Sequence, residues 1–589
     1  MKRRGRRRLK KSKAVFFAIA LLLVLLLLVA FYANRRGSTY DYDLIVVGSD
    51  PEGIAAAISG ARNGLSVLLV DRRSQVGGLL TQGWLSTLDM NYDPAGNLLT
   101  QGIFLEFFQQ LEGISFDINT AGRVLERMLA KEDNITLSLD QKMNGVLREK
   151  EEVAAIILEG GKRVTAPCFI DATQDADLAA LAGAGFTLGM EDLGSKRRQA
   201  VTLVLGVGGV DWGQLIGALP HDPSGQSGAF GTSAWGFLEE MRGYRPLDPQ
   251  IRSRGLNIGL QNNGDLLINA MHIFDVDALD AASRELALER GQKEAKFLIR
   301  YMRQNLPGFG RAYLVATAPE LYVRETRHLV GLYRLTIDDL LEHRDFWDKI
   351  ALGSYPVDIQ ATAMDDWGAV IGNPAIYSIP FRCLVPEGLS NLLVVGRGAS
   401  YDSLAHGSTR VVPVGMAVGE AAGVAAALSL EEKVNFLELS ENESQIGALQ
   451  GRLKKQGAYL EDFEFPYALQ GHPLYPLIKE LRSYGLVTGR YDNNYRLDEP
   501  IQLRDISLVV GGYLERVLGN RFQAENLSDE QSEATLGDLL WFLEGIKGAD
   551  LEALGLDALL EEHGFGRNKT LSRGKTFAFL LEFLQRLGE

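Results

Sequence analysis

Three groups of residues have types and spacing that could do chemistry. The first is Gly48-Ser49-Asp50-Pro51-Glu52-Gly53, with Asp71 following 23 positions after Gly48. Glycines at 48 and 53 permit a tight turn and close packing at a helix start, where free N–H groups and the helix dipole attract a diphosphate. Asp71 then falls where a carboxylate accepts hydrogen bonds from a ribose. The G-x-G-x-x-G fingerprint is incomplete, because Asp50 stands at its second glycine. A carboxylate there repels phosphate unless it points away, and an ordinary βαβ turn is the alternative for this stretch. The second group is Arg324, Glu325, Arg327 and His328, dense charge between apolar neighbours. It reads either as a salt-bridged structural face or as a site. The third is a polar loop, Gly396-Arg397-Gly398 and then Ala405-His406-Gly407-Ser408-Thr409-Arg410. Two cysteines, Cys168 and Cys383, allow no zinc spacing and no C-x-x-C pair. They read as buried thiols, with one disulfide as the alternative in an oxidising compartment.

The elements that must hold these groups are legible. DLIVVG and SVLLV are short apolar runs of the kind that form buried parallel strands, and PEGIAAAISGARNG between them has helical spacing and stops at Gly64. A loop-like stretch follows from Leu79 to Leu99, then helical patterns near 101–111 and 120–131. From 135 to 170 the period switches to strands, ITLSLD, GVLREK, VAAIILEG and KRVTAPCFIDAT, which suggest a small antiparallel meander. Residues 190 to 320 change character and read as an inserted substrate-side domain with a helix near 279–305. Gly206-Val207-Gly208-Gly209 lacks the helix and acid of a second nucleotide loop and reads as a turn in that insert. NLLVVG at 391–396 is another buried parallel strand, and VVPVGMAVGEAAGVAAALS is a helix whose glycines allow close approach to a ligand or to another helix.

The chain has 589 residues, enough for two or more cores, and 46% hydrophobic content suits a globular protein. Net charge is −14, yet the first 13 residues carry nine Lys/Arg and no acid, which leaves −23 for the remainder. That excess argues against nucleic acid as a partner. Residues 14 to 33 are uncharged and span about 30 Å as a helix. The basic tail at 1–13 holds the cytoplasmic side, which predicts a single-pass membrane protein with its body outside. Phe31 is too large for a signal-cleavage site, so a retained anchor is favoured over a cleaved signal. Arg6-Arg7-Arg8-Leu9 is faintly like a twin-arginine export signal, against which the leucine-rich core argues.

Taken together, the segments from about 43 to 430 resemble the FAD-dependent oxidoreductase family of the glutathione-reductase-like flavoprotein fold. GSDPEG with Asp71 and Gly77-Gly78 resembles the ADP-binding fingerprint and the double glycine after the ribose acid. FIDATQDADLAALAG resembles the A-T-G-D strand-turn, with Gln174 and Ala176 where glycine is usual. RETRHLVGLYRLT resembles the R-E-[ST]-R block, and the segments at 376–400 and 407–428 resemble the closing flavin segment. The resemblance implies an α/β fold with a Rossmann-like FAD-binding domain at 43–190 and 371–432. It also implies a mixed α+β substrate domain inserted at 191–370. It places FAD on Gly48, Ser49, Pro51, Glu52, Gly53, Asp71, Arg72, Gly77, Gly78, Val146, Thr173, Gly396, Arg397, Gly407 and Val412, with no metal. It implies hydride transfer between flavin and a small organic or carbohydrate-like substrate, with Arg324, Arg327 and His406 as catalytic candidates. A dithiol mechanism is excluded by the cysteine count, and a directly NAD-binding dehydrogenase is disfavoured. The rival expectation is a cell-surface scaffold whose cofactor site has decayed.

Residues 440–589 form a mainly helical region. HPLYPLIKELRSYGLVTGRYDNNYRLDEPIQLRDISLVVGGYLERV resembles an S-layer homology motif, and LSRGKTFAFLLEFLQRL the end of a degenerate second copy. Such modules commonly grip cell-wall polysaccharide, which implies a possible wall partner beside the lipid bilayer.

Overall fold

The computed structural model describes residues 40–565 and 571–589. The expected membrane segment at 14–33 lies outside the described residues.

Five parallel strands organise the first layer: β1 (Leu44–Val47), β2 (Val67–Val70), β3 (Ile135–Ser138), β4 (Cys168–Asp171) and β5 (Leu392–Val394). Their order is β5-β4-β1-β2-β3. The chain therefore leaves β1 toward β2 and β3, then returns to its other side at β4. That reversal opens a crevice at the carboxyl ends of β1 and β4. The expected meander is shorter than the sequence suggests. ITLS becomes the parallel edge strand β3, paired with β2, and CFID becomes β4 beside β1. Only Met143–Glu149, Glu152–Leu158 and Arg163–Val164 form the antiparallel three. A two-residue period shows that a strand exists but not which neighbour it takes.

Helix α1 (Pro51–Arg62) follows β1, and α3 (Val412–Glu432) lies directly across it. A Cβ on Gly423 would stand 2.4 Å from the Ala56 carbonyl oxygen, so glycine there brings backbone against backbone. The α3 glycines thus serve another helix. Of its most apolar 18 residues 94% are buried, as befits a core helix.

The insert is a seven-stranded antiparallel sheet centred on the strands Ile251–Leu260 and Leu266–Ile273. Helix α2 (Ala281–Asn305) covers it, its N-terminus capped by the Asp280 carboxylate accepting from Ser283 N at 3.0 Å. Gly206 to Gly208 lie in a strand of this sheet, Leu205–Gly208. Both cysteines are free and buried.

The C-terminal helices Tyr475–Ser483, Leu503–Arg516, Leu536–Glu544 and Arg573–Gly588 share a separate hydrophobic core. They are fixed to the body by Arg482, which is 1% exposed and donates from Nε to Asp338 at 3.0 Å. Asn493 accepts from Asn373 N at 2.8 Å, and Gly489 N donates to the Ile371 carbonyl at 2.8 Å.

Candidate functional site

The crevice between β1 and β4 is built from backbone. Gly48 takes φ +104°, and a Cβ there would stand 2.4 Å from Ala172 O, so the turn admits only glycine. Helix α1 opens at Pro51, whose missing N–H costs nothing at that position. Asp71 ends β2 with its carboxylate accepting from Ser49 N at 2.6 Å, Ser49 Oγ at 2.8 Å and Arg73 N at 2.8 Å.

Two carboxyls of the chain itself occupy the first turn of α1. Asp50 is fully buried and accepts from Leu79 N and from Arg73 Nη1, each at 2.8 Å. Burial pushes its pKa up, opposed by the Arg73 guanidinium. Glu52 is pushed up to about 7, by burial first and then by the charge of Asp50, and it accepts from Gln174 Nε2 at 2.7 Å. A Cβ on Gly78 would lie 1.9 Å from Asp50 Oδ1, and one on Gly396 would lie 2.4 Å from Glu52 Oε1. Both glycines make room for these carboxyls. The remaining cavity measures about 220 Å³, bounded by Asp50, Arg73, Gln174, Glu320 and Arg397.

Other expected cofactor residues are placed as follows. Gly53 packs its Cα against the Gly48 carbonyl, and Gly77 against Thr81 and Leu125. Arg72 is more than half exposed and pairs loosely with Glu320 at 3.3 Å. Its neighbour Arg73 is the one turned inward. Thr173 donates to Asp171 from N and Oγ1. Arg397 fixes the Gln174–Asp175 loop through Gln174 O at 2.6 Å and Asp175 Oδ1 at 2.7 Å. Gly407 abuts Asp358, Val412 begins α3, and Val146 packs on the apolar cluster under the meander.

The three catalytic candidates do not converge. Arg324 is 2% exposed and lines a second, larger cavity. Arg327 turns away from it and donates from Nη1 to Asp175 O at 2.6 Å and Asp177 Oδ1 at 2.8 Å. Its charge is paired with Asp177. His406 is fully enclosed, edge-on to His328 with ring centroids 4.7 Å apart, and lines neither cavity. His328 Nε2 lies 3.0 Å from Glu325 Oε1. Burial, then His328, Arg410 and Arg397, hold the His406 ring neutral.

The larger cavity, about 710 Å³, lies between the insert sheet and the segment leading into α3. Arg252, Arg254, Arg324, Arg410 and His272 face it, with Asp89 and Asp358. Sequence reasoning singled out Arg324 and the loop ending at Arg410 and missed the others. One signal was available: Arg252 and Arg254, two apart in a strand, share a face.

The family model described as FAD dependent oxidoreductase matches residues 43–453, more than two thirds of the chain. The chain belongs to that family. FAD is the cofactor that goes with it. No curated protein gives a significant match. Among solved structures, a geranylgeranyl bacteriochlorophyll reductase-like protein from Thermoplasma acidophilum is 12% identical. It covers 87% of this chain and 98% of its own, with a TM-score of 0.34. A triple mutant of the flavin-dependent brominase Bmp2 is 12% identical over 75% of this chain and 94% of its own, at 0.35. The p-nitrophenol 4-monooxygenase PnpA from Pseudomonas putida is 11% identical over 72% and 90%, at 0.33. Similarity at these scores carries no further argument.

The backbone of the cradle fits FAD: the glycine turn, the helix start and the acid ending β2 are those a dinucleotide needs. The side chains over it are closed, since Asp50 and Glu52 fill the first turn and little volume is left.

Four carboxyls, the buried Glu52, Asp171 and Glu420 and the half-buried Asp402, are each pushed up to about 7 by desolvation. Unfolded, such groups ionise near pH 4. Between those values the folded chain binds protons that the unfolded chain lacks, so stability is lost as pH rises through 7. The buried neutral histidines, His272 and His406, oppose this only below about pH 6.5, where unfolded histidine is charged. The expected result is a lower melting temperature at pH 8.5 than at pH 6.5, a loss of about 2 kcal/mol in sum. Thermal melts at the two values check it.

Proposed function

We propose that the chain is a membrane-anchored FAD-dependent oxidoreductase whose body lies outside the cytoplasmic membrane. In this reading the large cavity holds the substrate. The observation that carries the reading is that cavity: a polar, arginine-lined chamber whose wall includes Arg410, two residues before α3. It has the size of a small-molecule site.

When bound, FAD supplies a two-electron acceptor for hydride. Arg324 and Arg410 position an anionic or hydroxylated substrate. Arg410 Nη1 donates to Tyr322 Oη at 2.8 Å, and the Arg324 guanidinium stacks over the Tyr322 ring at 4.4 Å, so both cations are held in place before a ligand arrives. His272 stays neutral through burial and the adjacent Arg324, Arg254 and Arg252, so it faces the chamber as an uncharged hydrogen-bonding ring. Asp358, paired with Arg410 at 3.4 Å, completes the polar wall. The uncharged segment at 14–33 supports the anchor, and the C-terminal helices support attachment to wall polysaccharide.

Replacing Arg324 with Met should raise KM for the substrate or lower the flavin potential by removing a buried cation. Replacing Arg327 with Met should change neither and only loosen the loop at 175–177. Steady-state kinetics and a redox titration on both variants check the contrast.

The visible spectrum of the purified full-length protein tests the function. A flavin spectrum, or its recovery after FAD addition, supports the enzyme. The closed cradle favours a second reading, a scaffold with a decayed cofactor site. A protein that stays colourless with added FAD at every pH between 6 and 8 would establish that reading instead.

A further inference from the structure

We propose that the large chamber takes an acidic saccharide, a short chain of pyranose rings bearing carboxylates. This rests on the chamber being the substrate site and names the substrate class. Arg252, Arg254 and Arg324 all face the cavity, and none forms an ion pair among the described residues. Arg252 is 8% exposed, its Nη1 donates to the Met364 carbonyl at 2.8 Å, and its Nε has no partner. Asp365 and Asp366 act on it only at longer range. Arg254 Nη1 donates to Gln360 Oε1 at 2.8 Å. Arg252 and Arg324 are buried and Arg254 is half-buried, with Asp89 and Asp358 acting on them only at longer range, and guanidinium groups so placed call for an anion. Three of them spread around one chamber suit separated carboxylates along a chain.

The rest of the lining suits sugar rings. Trp235, Trp367 and Tyr491 expose 43%, 49% and 67% of their surface and all border this cavity. Arg252 stacks over the Trp367 ring at 4.2 Å, joining an apolar face to a cation. Flat aromatic faces with polar groups at their rims match the apolar face and hydroxyl edge of a pyranose. Asn269 Oδ1 is buried without a partner, and Asp89 and Asp358 add further acceptors. A benzoate without hydroxyls would leave the buried Asn269 Oδ1 unmet, which opposes its binding.

The full-length protein, in detergent, is titrated with trigalacturonate and with a hyaluronan tetrasaccharide, and with the methyl ester of each. Tryptophan fluorescence and calorimetry follow binding, and the visible spectrum of the same sample records flavin. The expected result is saturable binding of at least one acid form, tenfold or more tighter than its ester. The double variant Arg252→Met, Arg254→Met should lose that difference and keep the affinity for the ester. Equal affinity of acid and ester in the unaltered protein overturns the proposal, as does failure of both acids to saturate. Tighter binding of benzoate than of either oligosaccharide also overturns it. Since neither titration needs flavin, a sample that stays colourless with added FAD yet binds the acid retires the oxidoreductase reading and leaves the saccharide site standing. A yellow sample that binds neither acid does the reverse.

Discussion

Replacing Asp50 with glycine and Glu52 with alanine should raise the affinity for FAD a hundredfold or more. Both carboxyls are buried on the first turn of α1, where the helix start would meet a diphosphate. Like unit charges about 4 Å apart repel by about 4 kcal/mol at an effective dielectric constant near 20. Each 1.4 kcal/mol is about a factor of ten in affinity, so two such carboxylates oppose a diphosphate strongly even after relaxation. The double variant removes both and restores the space that Gly78 and Gly396 leave open. The unaltered protein should show the same effect through pH. Glu52 is pushed up to about 7, so lowering pH from 8 to 6 protonates it and should tighten FAD, and the raised Asp50 acts in the same direction. The variant should lose that dependence. Quenching of flavin fluorescence during titration measures both. A pH-independent affinity equal in the two proteins would count against the loading role of these carboxyls.

The second large effect is on stability. Gly423→Val should cost about 3 kcal/mol or more, because overpacking a close-packed site forces backbone shifts. The Cβ would stand 2.4 Å from Ala56 O and 2.6 Å from Gly60 N, atoms of α1 that no rotamer change can move. Gly451→Ala is the control: that helix position is exposed, with nothing within 4 Å of the added Cβ. It should stabilise by roughly 0.5–1 kcal/mol through helix propensity. Denaturant midpoints of the two variants should move in opposite directions.

The parallel sheet was legible because a strand buried on both faces writes a continuous apolar run, as LIVV, VLLV and LLVV do. ITLS was legible as a strand and misplaced, because an edge strand carries no mark of its partner. The conflict at Asp50 was visible as a missing glycine. Its resolution was not, since it depends on Leu79 N and Arg73, 29 and 23 residues away. Arg72 was expected at the cofactor; both Arg72 and Arg73 border the smaller cavity, but it is Arg73 that turns inward onto Asp50, since successive side chains at a strand end face opposite ways. The chamber was almost invisible. Its walls come from segments near 84–89, 252–272, 322–324, 355–360 and 410, and only the fold brings them together.

Tyr491 borders the chamber yet belongs to the C-terminal helices, which Arg482 locks to Asp338. Those helices are thus no detachable address label. A polymer bound by them, as proposed above, would be held at a set angle to the mouth of the cavity. The molecule would then work like a tool on a short rigid handle, reaching only material beside its own point of attachment.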